Sequence, residues 1–136
     1  MKRILLAIFL MMTLTLAVSA YEVDDSIIDG LNTTDDVDGV LAQKQDKNVM
    51  LVFDQENCVY CDLFKDNVLA NANVQKELNG NNIVVIVDIN RHPGVADEYN
   101  VFGTPTTIVI GTDGNEVYRL EGYVEVDEFL NALKEI

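Results

Sequence analysis

Three short apolar runs, separated by stretches with helical spacing, are the most regular feature of the sequence. The runs are Val49–Phe53, Ile83–Val87 and Thr106–Ile110, and the last two consist of β-branched residues throughout. Runs of this length that are apolar on both faces are typical of strands buried inside a sheet. Because helical segments lie between and after these runs, the pattern predicts parallel β-α-β pairing.

The pattern upstream of the first run is weaker. Ile27-Ile28 hints at a short strand, and three acidic residues between positions 35 and 38 suit the first turn of a helix that Thr33 or Thr34 would cap. The spacing of a helix packed against a sheet then follows at Val37, Val40 and Leu41.

Downstream of the third run the sequence predicts an antiparallel hairpin and a final helix. Thr112–Asn115 is a turn signal, and Glu116–Leu120 alternates like a strand with one polar face. The final helix is expected to be capped by Asp127 or its neighbours. Its apolar face carries Val126, Phe129, Leu130, Leu133 and Ile136. The order of elements is that of one α/β domain with a mixed sheet, over residues 21–136.

The first twenty residues have the pattern of a removable export signal. Lys2 and Arg3 precede an apolar stretch from Ile4 to Val18, which is shorter than the roughly 20 residues that a membrane-spanning helix needs. Val18-Ser19-Ala20 supplies the small residues of a cleavage site. We therefore predict a signal peptide at 1–20, removed before Tyr21, and a secreted or periplasmic protein. An uncleaved N-terminal anchor is the alternative.

The charge of the chain argues against one class of partner. The formal net charge is −14, and loss of Lys2 and Arg3 with the signal peptide would leave the remaining domain more acidic still. A body this acidic repels phosphate backbones, so nucleic-acid binding is not expected. We interpret the acidity as a well-solvated surface and expect a monomer.

The chain contains two cysteines, Cys58 and Cys61, directly after the first buried run and at the start of the next helix. A structural zinc site needs four nitrogen or sulfur ligands, and the single histidine, His92, leaves the set one short. A structural disulfide at this spacing would close too small a ring to stabilise the fold much. A redox-active dithiol suits the position best, and no metal or other cofactor is expected. His92 is interpreted as a surface loop residue.

Helix geometry distinguishes the two sulfurs. A thiol at a helix N-terminus faces unpaired N–H groups and the positive end of the helix dipole, which stabilise the thiolate that attacks disulfides. Tyr60, Phe64 and Val68 mark the apolar stripe, which predicts partial burial of Tyr60. Cys61 falls on this stripe and Cys58 about 100° away from its centre. The sequence thus predicts Cys58 as the exposed nucleophile and Cys61 as the shielded resolving thiol.

Two further motifs accompany the cysteines: Gly103-Thr104-Pro105-Thr106 before the third run and Glu121-Gly122-Tyr123 before the last helix. Together with the Cys-Val-Tyr-Cys centre, they resemble the thioredoxin superfamily, in particular its secreted or periplasmic branch. The resemblance covers roughly Ile27 to Ile136. It implies the thioredoxin fold, in which a central mixed β-sheet is flanked by helices and the C-terminal part is a β-hairpin followed by a helix.

The resemblance also implies a substrate groove beside the dithiol. In that family the bond corresponding to Thr104–Pro105 is cis, and the backbone of the residue before the proline pairs with the polypeptide substrate. Tyr60 and Gly122 are expected to line the same groove. For Tyr60 and Tyr123 a packing role remains an open alternative.

The sequence departs from the family pattern at several positions. Asn57 stands where a tryptophan usually precedes the first cysteine. Val52 and Ile86 occupy the positions of a buried aspartate and of the lysine that accompanies it. Asp54 and Glu56 are nearer acids, but from the sequence neither is an obvious replacement for the missing pair.

These features together predict a thiol–disulfide oxidoreductase that acts on protein substrates and exchanges electrons with an unidentified redox partner. The Cys58 thiolate would attack a substrate disulfide, and Cys61 would resolve the mixed disulfide. Thr104 before the proline, with an export signal, favours a reductant of exported proteins over an oxidant. The rival hypothesis is a non-catalytic thioredoxin-fold binding module, against which the intact dithiol counts. A peroxidase of this fold is disfavoured, because no Thr or Arg partner is placed near Cys58.

Overall fold

The computed structural model describes residues 28–31, 33–43 and 46–136. The predicted signal peptide at 1–20 and Ile27 of the predicted first strand lie outside the described residues. In the described part of the chain, no helix is both long enough and apolar enough to cross a membrane.

The described residues form a sheet of five strands with helices between them. The strands are β1 (Thr33–Thr34), β2 (Asn48–Asp54), β3 (Asn82–Asp88), β4 (Thr106–Ile110) and β5 (Glu116–Glu121). The helices are α1 (Val37–Ala42), α2 (Val59–Leu63), α3 (Ala72–Asn81), α4 (Pro93–Glu98) and α5 (Val126–Leu133). A π-helical turn, Phe64–Leu69, continues α2.

The sheet is mixed, as the sequence predicts. Its strand order is β1-β3-β2-β4-β5. β3 runs parallel to both β1 and β2, whereas β4 is antiparallel to both β2 and β5. The register places Phe53 beside Thr106, so the end of β2 and the start of β4 meet at one edge of the sheet. The two cysteines follow β2 at this edge, and Pro105 precedes β4 there.

The N-terminal elements differ from the prediction. Ile28 is a buried residue in a bend, and the first strand is formed instead by Thr33 and Thr34, which pair with β3. The cap of α1 is Asp36, whose carboxylate accepts a hydrogen bond from the Gly39 N–H at 3.0 Å. Thr34 accepts from the Asp36 N–H at 3.0 Å. A carboxylate is at least as good a helix cap as a threonine hydroxyl. Thr33 and Thr34 are therefore not needed as caps and can pair with β3 instead.

The final helix begins slightly earlier than the prediction places it. Glu125 is the N-cap and makes no side-chain capping bond, and Asp127 lies inside the first turn of α5. Asp127 still lies near the positive end of the helix dipole, where a negative charge is favourable. Ile136 lies beyond the end of α5 and is 36% exposed, so it does not extend the apolar face as predicted.

Both faces of the sheet are buried, which explains the continuous apolar runs. Successive strand residues point to opposite faces, so a strand covered on both sides needs apolar residues at every position. One layer includes Met50, Val52, Val84 and Val109 with Phe64, Leu78 and Phe129 from the helices. The other includes Leu51, Phe53, Val85 and Ile108 with Val37, Val40 and Ala96.

Phe129 holds α5 against the helix that carries the cysteines. Its ring meets that of Phe64 edge to face with centroids 5.2 Å apart, and both side chains are about 1% exposed. We expect Phe129→Ala to lower the free energy of unfolding by about 3–5 kcal/mol, because it leaves a cavity in the core. Urea unfolding followed by circular dichroism measures this.

The matched control for that variant is Phe102→Ala. The Phe102 side chain is 94% exposed, so its loss should change stability by less than about 0.5 kcal/mol. Equal losses in the two variants would contradict the assignment of Phe129 to the core.

Candidate active site

The first half of the site is built by the turn between β2 and α2. β2 ends at Asp54, and after a short loop Cys58 becomes the N-cap of α2. Asn57 lies in the left-handed region, with φ of 60°, a conformation that asparagine tolerates better than most side chains. The backbone N–H of Cys61 donates to Cys58 Sγ at 3.2 Å. The sulfur of Cys58 thus occupies the capping position at the helix N-terminus.

The two cysteines form a disulfide, and they differ in exposure. Their Cα atoms are 5.2 Å apart. Cys61 is 2% exposed and lies on the same buried face as Phe64 and Val68, whereas Cys58 is only partly buried. Of the two sulfurs, that of Cys58 therefore belongs to the more accessible residue.

Tyr60 lies outside the buried stripe, so its predicted partial burial is wrong. Its side chain is 61% exposed, because the buried face runs through Cys61, Phe64 and Val68 and the residue before Cys61 points about 100° away from it. The ring lies beside that of Tyr123, with centroids 6.2 Å apart and planes inclined by 42°. The two phenol rings therefore lie together, and Tyr60 stands between the two cysteines in the chain.

The second half of the site is the segment before β4. The Thr104–Pro105 peptide bond is cis, and Pro105 is buried. The Thr104 hydroxyl donates to Cys58 Sγ at 3.4 Å, and the Thr104 carbonyl oxygen lies 3.7 Å from the same sulfur. The Thr106 hydroxyl donates to the Gly103 carbonyl oxygen at 2.7 Å and so holds the turn closed. The fold thus brings together two motifs that are 46 residues apart.

Gly122 secures this segment from the other side. Its N–H donates to the Pro105 carbonyl oxygen at 2.8 Å, and its φ of 89° is one that glycine adopts without strain. Gly122 is exposed and Thr104 half-buried. Within the described residues, Thr104 makes no backbone–backbone hydrogen bond. An unpaired stretch of backbone therefore lies next to the sulfur of Cys58.

An acid and a lysine also lie beside the sulfurs. A carboxylate oxygen of Asp54 and the Sγ atoms of Cys58 and Cys61 all lie within 4.8 Å of one another. The Asp54 side chain is 16% exposed, and its Oδ2 accepts a hydrogen bond from Lys65 Nζ at 2.6 Å. The sulfurs are bonded to each other and the carboxylate is paired with the ammonium. In this form the sulfurs therefore offer no thiolate ligand to a cation.

Lys65 contacts a second acid, Asp62, at 3.3 Å. Partial burial acts to lower the pKa of Lys65, but the hydrogen bonds and charges of Asp54 and Asp62 outweigh it and raise the pKa above its ordinary value. Lys65 is therefore an ammonium at neutral pH.

The contact between this ion pair and the sulfurs was not predicted from the sequence. Its partners are 11 residues apart and lie on different elements. One signal could have suggested it: Asp54 closes the strand that leads to the cysteines, and Lys65 follows Cys61 at the i+4 position.

Exposed apolar side chains flank the two motifs, a second feature that was not predicted from the sequence. Among the described residues, six large apolar side chains are exposed, and four of them flank the cysteines or the segment before Pro105. These four are Val59, Tyr60, Leu63 and Phe102, with exposed fractions of 69%, 61%, 39% and 94%. His92 stands apart from them, at the N-cap of α4.

Comparison with known proteins assigns this arrangement to a family. A Thioredoxin-like domain family matches residues 36–136. The chain belongs to this thioredoxin-like family. A thioredoxin from Thermus thermophilus has a similar structure, with a TM-score of 0.68 and 30% sequence identity. The match covers 78% of this chain and 86% of that thioredoxin.

Two further similarities concern a larger protein. The C-terminal domain of Neisseria meningitidis DsbD, in its reduced form, has a TM-score of 0.58 and 27% identity, covering 72% of this chain and 88% of that domain. The thiol:disulfide interchange protein DsbD of Yersinia pestis is 32% identical over 101 residues, which are 70% of this chain and 17% of the relative. This thioredoxin-like chain thus spans about a sixth of the length of the DsbD relatives it matches.

Family, fold and cysteine pair agree on the type of chemistry. The thioredoxin-like domain, the Cys-x-x-Cys disulfide and the similarity to thioredoxin and DsbD make the chain a thiol–disulfide oxidoreductase. Thiol-bearing or disulfide-bearing proteins are accordingly the partners that these relatives suggest.

Proposed function

We propose that this oxidoreductase reduces disulfides in exported proteins, with Cys58 as the attacking sulfur and Cys61 as the resolving sulfur. The observation that carries the assignment is the asymmetry of the pair. Cys58 is partly exposed at a helix N-terminus, where it receives hydrogen bonds from the Cys61 N–H and the Thr104 hydroxyl. Such donors stabilise a thiolate more than a thiol. Cys61, at 2% exposure, cannot meet a substrate directly.

The reaction is an exchange of two electrons between two disulfides. In the reduced protein the Cys58 thiolate attacks one sulfur of the substrate disulfide, and the other substrate sulfur leaves as a thiolate and takes up a proton. Cys61 then loses its proton and attacks Cys58 Sγ. The Cys58–Cys61 disulfide forms, and the second substrate sulfur leaves and is protonated to a thiol. The substrate disulfide is the oxidant and the protein dithiol is the reductant.

We place the polypeptide substrate along Thr104, in the groove that Pro105, Tyr60 and Gly122 border. Thr104 offers backbone groups without a backbone partner, and an extended peptide can pair with such an edge. Gly122 adds no side chain that would obstruct the approach. Tyr60 is exposed at the rim, where an aromatic ring supplies apolar contact area.

Two features of the chain support reduction as the direction of the reaction. Thr104 before Pro105 and the export-type segment at 1–20 support a reductant outside the cytoplasm, resupplied with electrons by a separate redox partner. Insulin reduction in the presence of a regenerating dithiol tests the activity, and equilibration with glutathione measures the potential. We expect turnover and a potential nearer to the roughly −270 mV of thioredoxin than to the roughly −120 mV of a strong oxidant. Binding of reduced substrate without turnover would support the binding-module hypothesis instead.

The Phe102→Ala variant tests whether the substrate is a protein. Its ring is 94% exposed two residues before Thr104, so a polypeptide in the groove would cover it. Burying part of a phenylalanine contributes about 1 kcal/mol, so Phe102→Ala should raise the KM for insulin about fivefold and leave kcat unchanged. Reduction of a small aromatic disulfide should not change.

Val117→Ala is the matched control for that prediction. Val117 is 52% exposed, but it lies near the start of β5, at the opposite end of the β4–β5 ladder from Pro105. Val117→Ala should leave unchanged both the KM for insulin and the KM for the small aromatic disulfide. An equal effect of Phe102→Ala on the protein and the small disulfide would contradict a protein substrate in this groove.

The prediction of export is tested by determining the first residue of the mature protein. If residues 1–20 are a cleaved signal, mass spectrometry of the protein recovered from outside the cytoplasm of a bacterial host will find Tyr21 as its first residue. Recovery in the membrane fraction with Lys2 and Arg3 retained would support the anchor.

A further inference from the structure

The sulfurs lie beside an acidic cleft. The cleft has a volume of about 380 Å³ and contains one lysine among several acids. Its lining residues are Asp54, Gln55, Glu56, Asn57, Asp62, Lys65 and Asp88. Glu56 and Asp62 are exposed, so water and salt screen their charges. Asp54 is the acid in this set that the structure places within 4.8 Å of both sulfurs, and 16% of its side chain is exposed.

We propose that the Asp54–Lys65 ion pair sets the reducing strength of the Cys58–Cys61 dithiol, with Asp54 strengthening it and Lys65 moderating it. The inference rests on the proposed function, because it concerns the dithiol of that same reaction. It assigns a positioning role to two residues that act on the sulfurs through their charge.

Asp54 acts on the sulfurs electrostatically. A disulfide is neutral, whereas the reduced pair carries a negative charge whenever a thiol ionises. A carboxylate within 4.8 Å repels that charge and leaves the disulfide almost unaffected. Asp54 therefore disfavours the thiolate form of the reduced protein and shifts the equilibrium towards the disulfide. A dithiol with this bias gives up its electrons more readily.

Lys65 acts in the opposite direction. Its ammonium lies 2.6 Å from the Asp54 carboxylate and offsets much of the field that this carboxylate produces at the sulfurs. Lys65 also contacts the exposed Asp62, at 3.3 Å, whose charge water and salt screen. Asp88, beside Asp54 in the sheet register, adds negative charge on the same side.

The other side of Cys58 contributes little charge. Thr104 presents a hydroxyl, and Tyr60 and Tyr123 present phenol rings. Glu121, at the end of β5, lies 4.0 Å from Arg119 and is 71% exposed. Of the charged side chains that the described residues place around the sulfurs, that of Asp54 lies within 4.8 Å of both, and Lys65 is its ion-pair partner.

The experiment measures the pH midpoint of Cys58 alkylation in the reduced protein, together with the equilibrium against glutathione. Asp54→Asn should lower the midpoint by about one pH unit and shift the glutathione equilibrium about fivefold towards the reduced protein. Lys65→Gln should raise the midpoint by about half a unit. Asp62→Asn is the matched control. This variant removes another acid that pairs with Lys65. Because Asp62 is exposed and its charge is screened, the midpoint should shift by less than about 0.2 unit.

Asp54→Asn and Lys65→Gln are expected to shift the alkylation midpoint in opposite directions. Structural damage would shift the midpoint in the same direction in both variants, so the signs distinguish an effect of charge from an effect of damage. The proposal is overturned if Asp54→Asn leaves the midpoint unchanged, or if Asp54→Asn and Lys65→Gln shift it the same way. Failure of the proposed function is a different result. In that case the wild-type protein would not reduce insulin, whereas alkylation, which needs no substrate, would still report on the pair.

Discussion

Replacing Cys58 by serine will lower the rate of insulin reduction by at least about a thousandfold, because it removes the sulfur that attacks the substrate disulfide. A serine hydroxyl at the helix N-terminus ionises far less readily than a thiol and does not exchange with disulfides. Cys61, the remaining thiol, is 2% exposed and cannot substitute for it. The fold should persist, since the side chains are of similar size and Cys58 is only partly buried.

The same asymmetry predicts the order in which the two thiols react. With a limiting amount of alkylating agent near neutral pH, the reduced wild-type protein should be labelled at Cys58 first, and peptide mass mapping will show the site. Circular dichroism of Cys58→Ser before and after the assay controls for unfolding. Preferential labelling of Cys61, or substantial insulin reduction by Cys58→Ser, would reverse the assigned roles.

Replacing Cys61 by serine will instead trap the substrate. Cys58 keeps its place at the start of α2 and its contact with the Thr104 hydroxyl, so the first exchange still occurs. Nothing then attacks the mixed disulfide from within the protein, and multiple turnover should fall by at least about a hundredfold. Non-reducing electrophoresis and mass spectrometry should show a covalent adduct through Cys58 that added dithiol releases.

Comparison of the two serine variants makes this prediction specific. Cys58→Ser, treated in the same way with the same substrate, should form little adduct. Equal trapping by both variants would mean that either sulfur can meet a substrate. That result would be incompatible with the difference in burial between Cys58 and Cys61.

The parts of the fold that follow from near neighbours in the chain were predictable. Thr106–Ile110 forms β4 with the predicted bounds, and β2 and β3 exceed their predicted runs by one residue at each end. These runs are apolar because the strands are covered on both faces, a condition that is visible in the sequence itself. The predictions failed where several local partners compete, as at the caps of α1 and α5. The predicted burial of Tyr60 was wrong as well. Three apolar residues spaced along a helix do not define the position of its buried stripe to better than one residue.

The mixed α/β architecture, the junction that places Cys58 at a helix N-terminus and the burial of Cys61 were all predictable from the amino-acid sequence. Each of these depends on periodicity or on residues within a few positions of one another. The distant groups that surround the sulfurs, by contrast, are brought there by the tertiary fold. The contact of Thr104 with Cys58 was implied by family resemblance alone, and the approach of Asp54 and Lys65 was not foreseen. The position of Thr104 depends on strand order and register, which place the end of β2 beside the start of β4. The Asp54–Lys65 contact joins the end of β2 to the π-helical turn after α2.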